Sequence, residues 1–212
     1  MKKTIVLLFA SFFLFTGSIC NAELTKKEQK QIEKDAKNAA KDYKADGWLV
    51  SPGALTIERQ LERAYTMENE IGFDGEQMYI MGNGQSIGKT YDAAKKQALQ
   101  MAKEDVISKI QSEIAVIVDS SVGNNELGDD DAESVTRVLS EGTSLSKANL
   151  GKVITVTELY RGVKGTKNKE VLVRVAYNYN NVLNAAKSAI KKDLEERGDA
   201  LRERLNKILD NK

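Results

Sequence analysis

The sequence predicts an α+β domain: an antiparallel sheet with helices packed on one of its faces. Two patterns support this. An apolar side chain recurs at every fourth position from 94 to 118, as expected of a helix with one buried face. Residues 170–179 instead alternate in polarity, which is typical of a half-buried strand. The predicted order is helical leader, strand, helix, helix, β-hairpin and helix, and segregated blocks of this kind favour the α+β class.

The chain begins with the features of a secretory signal peptide, which we assign to residues 1–22. Lys2 and Lys3 supply the positive start, and residues 5–15 form a nearly unbroken apolar run. A run of about eleven residues is too short to cross a bilayer as a helix but suits the core of a signal peptide. The sequence therefore predicts an exported protein.

The end of this segment bears on how the protein is held in the envelope. Cys20 and Ala22 give a small-x-small cleavage signal before Glu23. A lipid anchor on Cys20 would need a small residue before it, and Ile19 stands there. The sequence favours a free periplasmic protein and leaves open a lipoprotein at the outer membrane or surface.

Composition removes several kinds of chemistry. The chain has no His, and its one Cys is Cys20. A Ser-His-Asp triad, a thiol nucleophile in the exported chain and a His- or Cys-ligated zinc site are therefore excluded. With 32 basic and 31 acidic residues, charge gives no reason to expect nucleic acid as a partner, and a membrane is expected only if Cys20 is lipidated. We predict a non-enzymatic protein without cofactor or metal.

Residues 23–75 form a predicted helical leader. A first, charged helix is expected up to residue 45, followed by a break around Pro52 and a second helix over residues 55–67. The first helix has only a narrow apolar stripe, consisting of Ile32, Ala36, Ala39 and Tyr43.

We assign the α+β domain to residues 76–192. Its predicted elements are a strand at 77–81, a turn at Gly82-Asn83-Gly84, a helix from Thr90 to about Val118, a short helix at 132–145, strands at 152–163 and 170–179 joined by a Gly/Asn loop, and a helix beginning at Asn181. Residues 193–212 extend this last helix.

Residues 84–90, Gly-Gln-Ser-Ile-Gly-Lys-Thr, come close to a phosphate-binding loop. Such a loop needs four residues between its first Gly and the Gly-Lys-Thr, so that backbone N–H groups surround the phosphates. Gly84 leaves three intervening residues and Gly82 leaves five. Nucleotide binding is therefore the weaker alternative, and a Gly-rich turn followed by a Thr90 N-cap is favoured.

A second alternative is a hydrolase of envelope glycans that uses two carboxylates. Glu113 and Glu158 are the only acidic residues inside strongly apolar segments, and periodicity places both on the polar side. The acidic triplet at 129–131 lacks the spacing of a calcium loop and suits the start of a helix instead.

The run from Tyr79 to Gly88, followed by the Ala-rich helix from Asp92, resembles the lipoprotein-twenty family. Members pair a strand ending in a Gly-x-Gly-x-Ser-like segment with a helix whose Ala residues recur every four positions, then return through a hairpin and a final helix. The resemblance covers roughly residues 76–192, and Gly47-Trp48 with the segment from Gly53 also looks like the leader of secreted relatives. It implies an envelope domain, often lipid-anchored, without an agreed active site.

The final helix predicts self-association. Its apolar stripe continues past the length that a sheet of short strands can cover, and exposed aliphatic surface is unfavourable by about 25 cal/mol per Å². The leader helix could cover this extension within the chain, or a second copy could do so in a homodimer. An envelope protein is the other expected partner. The residues concerned are Leu201, Leu205, Ile208 and Leu209.

Overall fold

The structure is a computed structural model, and it describes residues 24–72, 75–123, 132–133, 135–137, 139, 145 and 148–196. Its helices are α1 (Lys26–Ala45), α2 (Ile57–Glu68), α3 (Tyr91–Gly123) and α4 (Tyr179–Glu196). Its strands are β1 (Tyr79–Gly88), β2 (Ile154–Gly162) and β3 (Lys169–Asn178). Among the described residues, no helix is long and apolar enough to cross a membrane.

Threonine side chains fix where three helices begin. Thr25 and Glu28 form a reciprocal capping box at the start of α1. Thr56 accepts a hydrogen bond from the backbone N–H of Arg59 in the first turn of α2. Thr90 accepts one from the backbone N–H of Ala93, which confirms the predicted N-cap of α3. Each cap satisfies an N–H that the helix itself leaves unpaired.

The three strands form one antiparallel sheet in the order β1-β3-β2. The α+β class is therefore confirmed, as is the hairpin between β2 and β3. Gly165 in the hairpin loop has a φ of 76°, a backbone conformation that Gly adopts without steric cost. β3 is the central strand and contributes to the core on both of its faces.

The helices lie on both faces of the sheet, which corrects the expectation that they share one face. Val171, Val173 and Val175 face α3, as their alternation predicts. Leu172 and Ala176 point the other way and pack in the apolar clusters that include residues of α1 and α2. Because both faces of the central strand carry apolar side chains, both faces must be covered by other elements.

β1 runs straight through the segment predicted as a turn. Gly82 and Gly84 pair with Val175 and Val173 of β3 in a continuous ladder. A Cβ built on Gly84 would lie 1.9 Å from the carbonyl oxygen of Ala98, and one on Gly82 would lie 2.1 Å from that of Ala102. The glycines are therefore required by the close approach of α3, whereas the sequence indicates a reversal of the chain.

The predicted small-residue row of α3 faces these glycines. Ala94, Ala98 and Ile110 are fully buried, so the predicted packing of this helix on the sheet is confirmed. The 33 residues of α3 rise about 50 Å, whereas a strand of ten residues spans about 33 Å. The second half of α3 therefore projects beyond the sheet.

The projecting half of α3 packs on other helical residues. Val135, Leu139 and Leu145 join its apolar cluster, and so do Val182 and Ile190 of α4. The sequence predicts the sheet as the cover for the final helix. In the structure, α4 contacts α3 as well as β3 and β1, and its apolar residues lie in the cluster that includes α3.

Candidate functional site

A polar cluster at the outer side of β2 is the best candidate site among the described residues. Glu158 lies on β2, and both of its carboxylate oxygens contact Lys95 Nζ, at 2.9 and 2.8 Å. The hydroxyl of Tyr91 donates a hydrogen bond to the same carboxylate. The hydroxyl of Ser51 lies 3.3 Å from that of Tyr91. We call these four residues the Glu158 cluster.

Three parts of the chain position this cluster. Tyr91 and Lys95 lie in the first turns of α3, four residues apart and therefore on the same side of the helix. The Glu158 backbone N–H donates to Gln60 Oε1 on α2 at 2.7 Å, and Gln60 Nε2 donates in turn to the Leu55 carbonyl at 2.8 Å. The buried Gln60 side chain thus fixes β2 to α2 and to the segment before it.

The electrostatics of the cluster keep Tyr91 and Lys95 protonated at neutral pH. Burial, together with the hydrogen bond to Glu158, raises the pKa of Tyr91, so its phenol keeps its proton. The hydrogen bond to Glu158, outweighing partial burial, raises the pKa of Lys95, so its amine stays an ammonium ion. A protonated phenol cannot act as a base, and an ammonium ion cannot act as a nucleophile. The three groups instead hold each other in place.

A shallow groove of about 240 Å³ borders the cluster. Its polar lining includes Glu158, Gln60 and the exposed Arg63. Leu55 and Val156 supply apolar walls. The groove has room for a small polar group, and two of its polar side chains, Gln60 and Glu158, are already hydrogen-bonded within the protein.

Glu113 lies far from Glu158, which corrects the pairing that a glycan hydrolase would need. Its carboxylate accepts a hydrogen bond from the Tyr179 hydroxyl, and burial together with this carboxylate raises the pKa of Tyr179. Glu113 follows Tyr91 on α3 by 22 residues, or about 33 Å along the helix. Because Tyr91 contacts Glu158, the two carboxylates are far beyond the roughly 5–10 Å that separates glycosidase pairs.

The near match to a phosphate-binding loop does not form a loop. Gly84 to Gly88 is extended and paired with residues 169–173 of β3. Lys89 follows at the exposed end of the strand. A phosphate-binding loop must instead turn its successive N–H groups toward one point, and a paired strand points them alternately to opposite sides.

Several predicted residues lie outside the described part of the chain. These are Cys20 in the signal peptide, the acidic triplet at 129–131, and the proposed self-association residues Leu201, Leu205, Ile208 and Leu209. Within the described ranges, no group of three or more Asp, Glu, Cys or His side chains is arranged to hold a metal.

Comparison of the chain with protein-family models, curated proteins and solved structures finds no match. The resemblance to the lipoprotein-twenty family therefore remains a prediction from the sequence. Sequence reasoning identified Glu158 but missed its partners. The spacing of Tyr91 and Lys95 indicates that they share a helix face, because residues four apart on a helix are neighbours. Nothing in the sequence indicates that this face contacts a strand more than 60 residues later.

Proposed function

We propose that the chain is an exported, non-enzymatic protein of the cell envelope that acts as an interaction or structural module through its C-terminal helical stripe. The signal-peptide pattern of residues 1–22 supports export, and the resemblance to the lipoprotein-twenty family agrees with an envelope location. The chemistry of the Glu158 cluster supports a non-catalytic role, because its groups neutralise each other.

The observation that carries the proposal is the packing of α1. Its apolar residues Ala36 and Ala40 are buried in a cluster with Trp48 and Leu61. The predicted stripe members Ala39 and Tyr43 pack against the same cluster, so the structure uses the α1 stripe within the leader. This packing favours a partner molecule as the cover for residues 201–209, and among partners we favour a second copy of the chain.

Sedimentation equilibrium tests this proposal directly. The purified protein is expected to be a dimer, and a variant with Leu205→Ser and Ile208→Ser is expected to be a monomer with an unchanged melting temperature. Replacing Arg204 and Lys207 in the same segment with Ser provides the matched control, which should remain a dimer. A monomeric wild type whose Ser variant only loses melting temperature would refute the subunit contact, because the stripe would then be covered within the chain.

The location is tested separately, by the mass of the protein recovered from its own cells and by its partition in detergent. The expected result is the mass of a chain that starts at Glu23, recovered in the aqueous phase. The mass of a chain that starts at Cys20 and includes a lipid group would instead establish the anchored form.

A further inference from the structure

The outer edge of β1 has an unusual combination of properties. β1 is an edge strand, since the described sheet has the order β1-β3-β2. Its ten residues, Tyr79–Gly88, include no charged residue and no Pro. An edge strand of this composition is a ready template for another strand, and proteins normally block such edges with charges, Pro, bulges or a covering element.

Two side chains of α3 block half of this edge. The backbone N–H of Asn83 donates to Asp105 Oδ2 at 2.9 Å, and the Met81 carbonyl accepts from Lys109 Nζ at 2.8 Å. Asp105 and Lys109 are themselves joined at 2.8 Å. We call this pair the edge clasp, because it supplies to β1 the acceptor and the donor that a neighbouring strand would supply.

The other half of the edge is open among the described residues. In a strand, alternate residues point their backbone groups the same way, so Gln85 and Ile87 present theirs on the side where Met81 and Asn83 meet the edge clasp. The Ile87 side chain is 51% exposed. Met101, one helical turn before Asp105 on α3, is 41% exposed.

The opposite edge of the sheet is closed more thoroughly. Tyr160 of β2 exchanges two backbone hydrogen bonds with Leu49, at 2.8 and 3.0 Å. Gln60 binds the next outward N–H, that of Glu158, and a bulge distorts the strand between Thr155 and Thr157. Bulges and covering segments oppose strand addition, so β1 is the edge that remains suited to it.

We propose that the outer edge of β1 is a strand-pairing surface for β1 of a second copy of this chain, and that the edge clasp holds it closed. If the β1 strands of two copies pair antiparallel with Gln85 opposite Gln85, then Asn83 of one copy lies opposite Ile87 of the other. This register places no like charges opposite each other. A two-fold axis makes the pairing self-complementary. The proposal does not depend on the C-terminal stripe.

The test is to open the edge clasp and measure association. Asp105→Ala removes the acceptor for the Asn83 N–H and the counter-ion of Lys109. The variants are compared in the Leu205→Ser and Ile208→Ser background, so that the stripe contributes no association. In that background, sedimentation velocity over a concentration series is expected to show association about tenfold tighter with Asp105→Ala than without it, with hydrogen exchange at the Asn83 amide faster in dilute protein and slower as it associates. The matched control is Glu104→Ala on the same helix, whose carboxylate accepts from Gln100 and should change neither readout.

A second substitution locates the contact. Ile87→Lys added to Asp105→Ala in the same background places like charges near the new pairing and is expected to return association to the level measured without Asp105→Ala. Asp105→Leu, which keeps nearly the same side-chain size but has no acceptor for the Asn83 N–H, replaces Asp105→Ala if circular dichroism shows that the latter is unfolded. Association equal to that of Glu104→Ala, or association that Ile87→Lys does not reverse, would overturn the proposal.

Discussion

Replacing Gly84 with Ala tests how closely α3 lies on β1. The new Cβ would stand 1.9 Å from the Ala98 carbonyl oxygen and 2.6 Å from the Ala102 nitrogen. Ordinary contacts begin at 3.4 Å, so the shortfall is about 1.5 Å. Both opposing atoms belong to the helix backbone, which cannot rotate away as a side chain could. The helix and the strand must therefore separate.

The expected magnitude follows from that separation. A gap of about 0.5–1 Å already forfeits a quarter to a half of the dispersion energy of each contact, and the row from Ala94 to Val106 would lose contacts together. Overpacking in a core usually costs about 1–3 kcal/mol. We expect Gly84→Ala to lower the free energy of unfolding by about 3 kcal/mol or more. Gly88→Ala, whose Cβ would lie 2.7 Å from the Ala94 nitrogen, should cost less.

The assay is urea unfolding, with Gly162→Ala in β2 as the matched control. A Cβ on Gly162 meets no atom within 4 Å, and this glycine does not have a left-handed φ. Its replacement should be neutral or stabilise the protein by up to about 1 kcal/mol, because Ala loses less backbone entropy on folding. A loss below about 1 kcal/mol for Gly84→Ala would refute the close-packing argument.

Three further predictions concern polar groups. Glu158→Gln should lower the pKa of Tyr91, because a neutral amide does not oppose ionisation of the phenol as the carboxylate does. Ultraviolet titration, with Tyr91→Phe to identify the Tyr91 signal, would detect this shift, and an unchanged titration curve would contradict the contact. The hydrogen bond from Arg161 outweighs burial and lowers the pKa of Glu170. For Asp105, burial alone would raise the pKa, but the hydrogen bonds from Lys109 and the Asn83 N–H together outweigh it, so the pKa of Asp105 is also lowered. The stabilisation from both ionised carboxylates is therefore fully present above the ordinary carboxyl pKa of about 4, and it should be lost as the pH falls through their lowered folded-state pKa values. Urea unfolding at pH 6 and pH 3 measures the resulting loss in the free energy of unfolding, and Asp105→Asn should make that loss smaller. Thr157→Val should raise the free energy of unfolding by about 1 kcal/mol, because the buried Thr157 hydroxyl has no hydrogen-bond partner among the described residues, and a destabilised variant would show that one exists.

Local pattern was enough to predict the four helices α1 to α4 and the hairpin. The row from Ala94 to Val118 marks α3, and the alternation of Val171, Val173 and Val175 marks β3, because side-chain direction depends on the period of the backbone itself. The Thr90 cap was also predictable, since it acts within one turn.

The glycines of β1 show where local pattern is ambiguous. Gly82 and Gly84 serve equally well in a turn and beneath a closely packed helix, and only the position of Ala98 and Ala102 distinguishes the two. In the same way, a period-two strand shows which residues share a face but not whether the second face is covered. Ala176 is buried and Leu172 is partly buried because the leader helices fold back onto them.

The sequence by itself determined the order of the elements, the extents of α3 and the hairpin to within a few residues, the missing His chemistry and the near-neutral charge, but not the length of β1. Tertiary structure alone decided which residues meet. Glu158 binds Tyr91 and Lys95 across more than 60 residues, and the edge clasp reaches β1 across more than 20. Such contacts depend on how the chain closes on itself, and a helix or strand period carries no information about the residue that will lie opposite.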